Sequence, residues 1–132
     1  MPDIHKQITI SAPIDWVWAA LTDATVMSIW MQDNHVEVDL REGGAYQFFN
    51  GATSGRFTHI VSPTLLEYTW RQNGWQMTWE DSLVRWELYP EGNNTRIHLI
   101  HSRFPNETER IGHDEGWDMY WLAPMQDWLE NG

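Results

Sequence analysis

The chain has 132 residues, no cysteine, and 19 Asp and Glu against 8 Lys and Arg, a formal charge of −11. A chain of that length suits one domain that buries roughly two-thirds of its unfolded surface without help from a disulfide or a metal. The missing cysteines exclude disulfides, thiolate metal sites and cysteine nucleophiles, and the acidic balance argues against nucleic-acid and anionic-membrane partners.

Residues 1–10 carry no apolar run of signal-peptide length, and no stretch is long enough to cross a bilayer, so a cytoplasmic location is expected. Ile4 to Ile10 alternates as a strand, with Ile4, Ile8 and Ile10 on one face and Lys6 the exception among them. Ser11 is a plausible helix N-cap, and Pro13 suits an early helical position. Ile14, Val17, Trp18 and Leu21 recur at helical spacing over Pro13 to Asp23. A second short helix follows, from about Ala24 to Met31.

Strands then dominate. Val36, Val38 and Leu40 alternate with charged residues up to Arg41, Glu42-Gly43-Gly44 turns the chain, and Ala45 to Asn50 returns. Gly51 to Gly55 reads as a loop and Arg56 to Val61 as a strand ended by Ser62-Pro63. Leu65 to Arg71 places Leu66, Tyr68 and Trp70 on one face; Leu83 to Tyr89 does the same for Val84, Trp86 and Leu88. The segment from Gly74 to Glu80 reads either as a strand extension or as a loop over a cavity mouth. Pro90 to Asn94 reads as a turn, and Thr95 to Phe104 as the last strand, with Ile97, Leu99 and His101 together. Asn106 or Thr108 is placed to cap a final helix, along which Ile111, Trp117, Trp121, Leu122, Met125, Trp128 and Leu129 form an apolar stripe. Gly112 and Gly116 weaken its first half, and Pro124 predicts a kink near Tyr120.

Strand, two short helices, six strands and a long helix make an α+β domain spanning residues 1–132. Tight turns imply antiparallel pairing, and the single long helix must bury its stripe on the concave face of the sheet.

Several local patterns support a closer comparison: Ile8-Thr9-Ile10-Ser11-Ala12-Pro13 leading to Val17-Trp18 and Leu21-Thr22-Asp23; Trp30; Asp39-Leu40-Arg41-Glu42-Gly43-Gly44-Ala45-Tyr46; Leu65-Leu66-Glu67-Tyr68-Thr69-Trp70; His101-Ser102; and Gly116-Trp117. In this order they resemble the START-like (SRPBCC) superfamily, the helix-grip fold of the birch-pollen-allergen type, and within it the bacterial family similar to the activator of the Hsp90 ATPase. The resemblance implies a curved antiparallel sheet around the last helix, with a cavity between them. It implies binding of an apolar molecule such as a polyketide in some members and catalysis in others. Pro124 departs from the usual uninterrupted last helix. The co-chaperone activity belongs to proteins with an additional domain, so the family name alone does not carry it over.

The expected pocket is apolar and aromatic, lined by Tyr46, Phe48, Tyr68, Trp70, Trp86, Leu99 and His101 of the sheet and by Trp117, Trp121 and Met125 of the helix. Such walls suit a small hydrophobic ligand, aromatic or polyketide-like, held by a carrier, a sensor or a sequestering resistance protein. Each of these side chains also reads as ordinary core. His98 and His101 stand three apart in a strand and face opposite ways, so they do not share an ion; no metal and no cofactor are expected. An enzymatic alternative, a cyclase or hydrolase-like activity, rests on His101 as an inward-facing base. A third alternative is a chaperone-associated, partner-binding module. His113, Asp114 and Glu115 read first as a solvated helix face, and an acid/base cluster at a cavity mouth is the second reading. Exposed Trp16 or Trp75 would mark a contact in a homodimer.

Overall fold

The computed structural model describes residues 2–131. The chain runs β1 (Ile4–Ile10), α1 (Ile14–Thr22), α2 (Ala24–Met31), β2 (Glu37–Val38), β3 (Ala45–Phe48), β4 (Thr53–Val61), β5 (Leu65–Gln72), β6 (Ser82–Glu91), β7 (Asn94–Ser102) and a C-terminal helix. The strands form one seven-stranded antiparallel sheet in the order β1-β7-β6-β5-β4-β3-β2. The first strand thus pairs with the last, Ile4 opposite His101 and Ile10 opposite Thr95.

Period-two alternation decides which face is inside. Leu66, Tyr68 and Trp70, then Val84, Trp86 and Leu88, then Ile97, Leu99 and His101 are all buried. Tyr46 and Phe48 join them on β3. Lys6 breaks the inward apolar pattern of β1 because its ammonium reaches the helix, 3.0 Å from Asp114 and 2.9 Å from Asp118.

Several boundaries differ from the sequence reading, each for a local reason. Ser11 does not cap α1: Pro13 is the N-cap residue and its carbonyl accepts from Trp16 and Val17, while the Ser11 N–H is taken by Glu130. The strand expected over 36–41 shrinks to Glu37–Val38: after one more bond across to β3, from Asp39 N–H to Ala45 C=O, the chain tightens into a turn through Arg41 N–H to Asp39 C=O. Arg41 also pairs with Asp39 through their side chains at 2.9 Å. Gly51 to Gly55 is not all loop: β4 begins at Thr53, with Gly55 opposite Tyr46. Gly55 sits where a Cβ would stand 2.0 Å from the Thr69 carbonyl oxygen, a close backbone approach that only glycine permits. Pro90 belongs to β6, paired with Thr95, and the turn contracts to Gly92-Asn93. Beyond Leu88, β6 has no partner on its β5 side among the described residues, and a strand proline is tolerated at such an edge.

The C-terminal helix starts at Glu107, where Asn106 accepts the Glu109 N–H at 2.9 Å. It comprises α3 (Glu107–Gly116), a π-helical segment (Trp117–Leu122) and α4 (Ala123–Asn131). Pro124 offers no N–H and its ring crowds the carbonyl four residues back. The helix answers one residue earlier: the Ala123 N–H bonds to Asp118 C=O, five residues back. The irregularity at the place where the sequence predicts a kink, near Tyr120, is thus this π-helical segment.

Candidate functional site

The π-helical segment sets the phase of the whole helix. Met125, Trp121, Trp117, His113 and Glu109 follow one another at steps of four. In a straight α-helix each such step drifts by about 40°, so Glu109 would end on the far side from Met125. The wider π turn takes up that drift. Met125, Trp121 and Trp117 are buried against the sheet, and His113 and Glu109 are half-buried on the same side. Ile111, read from sequence as part of the stripe, is instead 50% exposed.

Where α3 stands off the sheet it leaves a cavity of about 420 Å³. Trp70 and Gln72 of β5 form the floor with Thr53 of β4. Trp117, Trp121 and Tyr120 wall it from the π-helical segment, and Glu109, Gly112 and His113 from α3. Phe49 and Ala52 close it from the β3–β4 hairpin. Phe49 holds φ at +54°, an uncommon conformation for a bulky residue. Its N–H donates to an Asp33 carboxylate oxygen, which pins the hairpin there. Aromatic rings pack closely around the cavity: Trp70 and Trp117 lie 4.9 Å apart by centroid, and Trp117 and Trp121 5.0 Å.

A chain of indole and imidazole groups runs beneath this wall. Indole N–H only donates, so the Trp117 N–H at 3.0 Å makes Nδ1 of His101 an acceptor. His101 then carries its proton on Nε2, which donates to Ser82 Oγ at 2.7 Å, and Ser82 donates on to the Trp70 carbonyl. By the same logic the Trp70 N–H fixes Nε2 of His113 as acceptor at 3.0 Å, and His113 Nδ1–H donates to Glu109 C=O at 2.7 Å. Burial pushes the His101 pKa well below the usual range, with nearby His113 adding to it. Burial also lowers His113, partly opposed by Glu109. Both imidazoles are therefore neutral in the folded protein at pH 7. Elsewhere Trp86 N–H donates to the Tyr68 hydroxyl at 2.9 Å, and Tyr46 donates to Thr69 C=O. Burial raises both phenols well above their ordinary value.

Of the pocket residues expected from the sequence, Trp70, Trp117 and Trp121 line the cavity. Tyr46, Phe48, Tyr68, Trp86, Leu99 and Met125 pack in the core around it. His101 is fully buried with both ring nitrogens engaged, and open cavity space does not reach it. His113 does not lie on a solvated face: it packs against Trp70, Trp75 and Phe104. Trp75, expected exposed, is 9% exposed and donates to Glu109 Oε1 at 2.7 Å. The segment after β5 is thus a loop that docks on α3. Trp16 is exposed, at 62%. Phe49, Gln72, Glu109 and Tyr120 also line the cavity and are not among the pocket residues expected from the sequence; the one available signal is Gly112 and Gly116, small residues a turn apart that keep the helix surface low. Among the described residues no group of three or more His, Asp or Glu is placed to hold a metal ion, and no helix is long and apolar enough to cross a membrane.

A curved antiparallel sheet gripping a long C-terminal helix, with a cavity between them, defines the START-like class. The chain belongs to the family described as activator of Hsp90 ATPase homolog 1-like protein, whose profile matches residues 11–130. Among solved structures it is similar to an Hsp90 activator from Plasmodium falciparum, at 25% identity and TM-score 0.88 over 96% of this chain and 95% of that one. It is also similar to CalU16 from Micromonospora echinospora, at 29% identity and TM-score 0.82 over 96% and 73% of the two chains. The Aha1 dimer from Colwellia psychrerythraea shares the fold, at 21% identity and TM-score 0.84 over 100% and 98%. Among curated protein sequences, none matches.

Proposed function

We propose that this protein binds a small hydrophobic molecule carrying an aromatic group in the cavity between β5 and the C-terminal helix. The observation that carries the reading is the cavity of about 420 Å³ walled by Trp70, Trp117 and Trp121. That volume falls within the range of small-molecule sites, and the polar groups around it are few, as orientation of an apolar ligand requires. Surplus tryptophan finds a use here: an indole wall gives large contact area at little conformational cost. A binding role fits better than catalysis through His101, whose nitrogens are both committed inside the core.

Titration calorimetry with naphthalen-1-ylmethanol tests this. The expected result is saturable binding of one molecule per chain. Gly112 faces open space, since a Cβ there meets nothing within 4 Å. Gly112 lines the cavity, so Gly112→Leu adds bulk to its wall and is expected to abolish the binding. Heat that does not saturate, or that survives Gly112→Leu, sinks the proposal.

A partner-binding role is the second reading, favoured by Trp16 at 62% exposure on α1. A second copy of this chain is one such partner. Sedimentation of the wild type and Trp16→Ser decides it for self-association: a dimer lost on substitution supports it, and a monomer in both cases removes it.

A further inference from the structure

The ring-lined cavity carries a charge preference as well as an apolar one. Among its lining residues Glu109 is the only carboxylate, and there is no Lys or Arg. Thr53, Gln72 and Thr108 are neutral, and the nitrogens of His113 are both taken up by Trp70 and Glu109 C=O. Glu109 is held rather than left loose: Trp75 N–H donates to its Oε1 at 2.7 Å. Its Oε2 has no protein partner among the described residues. Trp75 is itself buried against Trp79 and His113, so the carboxylate is aimed by a rigid indole. Phe49, Trp70, Trp117, Tyr120 and Trp121 supply ring edges and faces around the same space. An aromatic box with one anion at its rim is the physical arrangement that attracts a cation: ring quadrupoles and the carboxylate act with the same sign. The formal charge of −11 adds a field of that sign over the whole surface.

We infer that the cavity selects hydrophobic amines, the aromatic part seated among Trp70, Trp117 and Trp121 and the ammonium directed to the free oxygen of Glu109. Trp75 is the positioning residue for that oxygen. This rests on the cavity being a binding site, and the test separates the two.

Three probes share the naphthalene ring and differ in the charge of a small polar group: naphthalen-1-ylmethylammonium, naphthalen-1-ylmethanol and naphthalene-1-carboxylate. Calorimetry at physiological salt is expected to give a Kd about tenfold lower for the ammonium than for the alcohol, with the carboxylate weakest. In Glu109→Gln the preference for the ammonium over the alcohol is lost, and a thermal midpoint close to that of the wild type shows that the variant is folded. Glu115 is exposed on the same helix and does not line the cavity, so Glu115→Gln makes the same change in net charge and retains the ammonium preference. Equal binding of ammonium and alcohol by the wild type overturns the inference and leaves the cavity reading standing. Equal loss of preference in Glu109→Gln and Glu115→Gln overturns it too, since the selectivity then belongs to the surface field. If none of the three probes binds, both fail together.

Discussion

Lowering the pH from 7.5 to 5.5 should destabilise this protein through its buried imidazoles. His101 is fully buried, accepts from Trp117 N–H on Nδ1 and donates to Ser82 from Nε2. A second proton on Nδ1 would oppose the Trp117 N–H and place a charge in the aromatic core. The folded-state pKa is accordingly depressed, by burial first and by His113 second. A depressed base binds fewer protons when folded than when unfolded, so stability is fully present above the unfolded value of about 6.5 and falls as the pH drops below it. The slope is about 1.4 kcal/mol per pH unit for each such histidine. His101 alone therefore removes about 1.4 kcal/mol between pH 7.5 and 5.5, and His113, lowered for the same reason, adds to it. Glu87, Glu107 and Glu130 have depressed pKa values and lose their contribution only at lower pH, outside this window. Urea unfolding followed by tryptophan emission, at half-unit pH steps and enough salt to screen the net negative charge, measures the effect. A stability that stays flat from pH 7.5 to 5.5 would refute the assignment of two neutral, hydrogen-bonded imidazoles.

Three further outcomes follow from the packing. Gly55→Ala places a Cβ against the Thr69 carbonyl oxygen, so β4 must move off β5; a loss of about 1–3 kcal/mol is expected in denaturant unfolding, and an unchanged midpoint would contradict the close approach. Trp117→Phe removes the donor to His101 Nδ1 and leaves a small void; the cost is about 1–3 kcal/mol, and the pH slope weakens because protonated His101 no longer faces an N–H. Asn106→Ala deletes the cap on the first turn of α3 and costs about 1 kcal/mol, whereas Asn106→Asp retains the acceptor and restores most of it, read as shifts in thermal midpoint.

Much of the sheet was legible because strand alternation is a local property. Leu66-Tyr68-Trp70, Val84-Trp86-Leu88 and Ile97-Leu99-His101 each declare an inward face within one short stretch, and neighbouring strands only have to agree. The same holds for the Asn106 cap and for a break in the helix before Pro124, which both depend on residues within a turn. Strand ends were less legible. Gly55 and Pro90 look like loop residues until the partner strand shows one carbonyl passing too close for a Cβ and one edge that needs no donor.

The cavity itself was decided by tertiary structure. Ile111 seemed to continue the apolar stripe and His113 to leave it, because a 3.6-residue period was extended through the proline. The π-helical segment widens the turn, so the inward line passes through Trp117, His113 and Glu109 instead. Whether an inward aromatic fills core or lines space is equally non-local. Trp86 and Trp117 are alike in sequence and both buried, but only Trp117 has α3 lifting away beside it. Sequence by itself determined the order of elements, the faces of the strands and the surplus of tryptophan, since each is carried by neighbours along the chain. The gap between helix and sheet, the tautomers of His101 and His113 and the aim of Glu109 arise from groups far apart in sequence, and only their packing decides them.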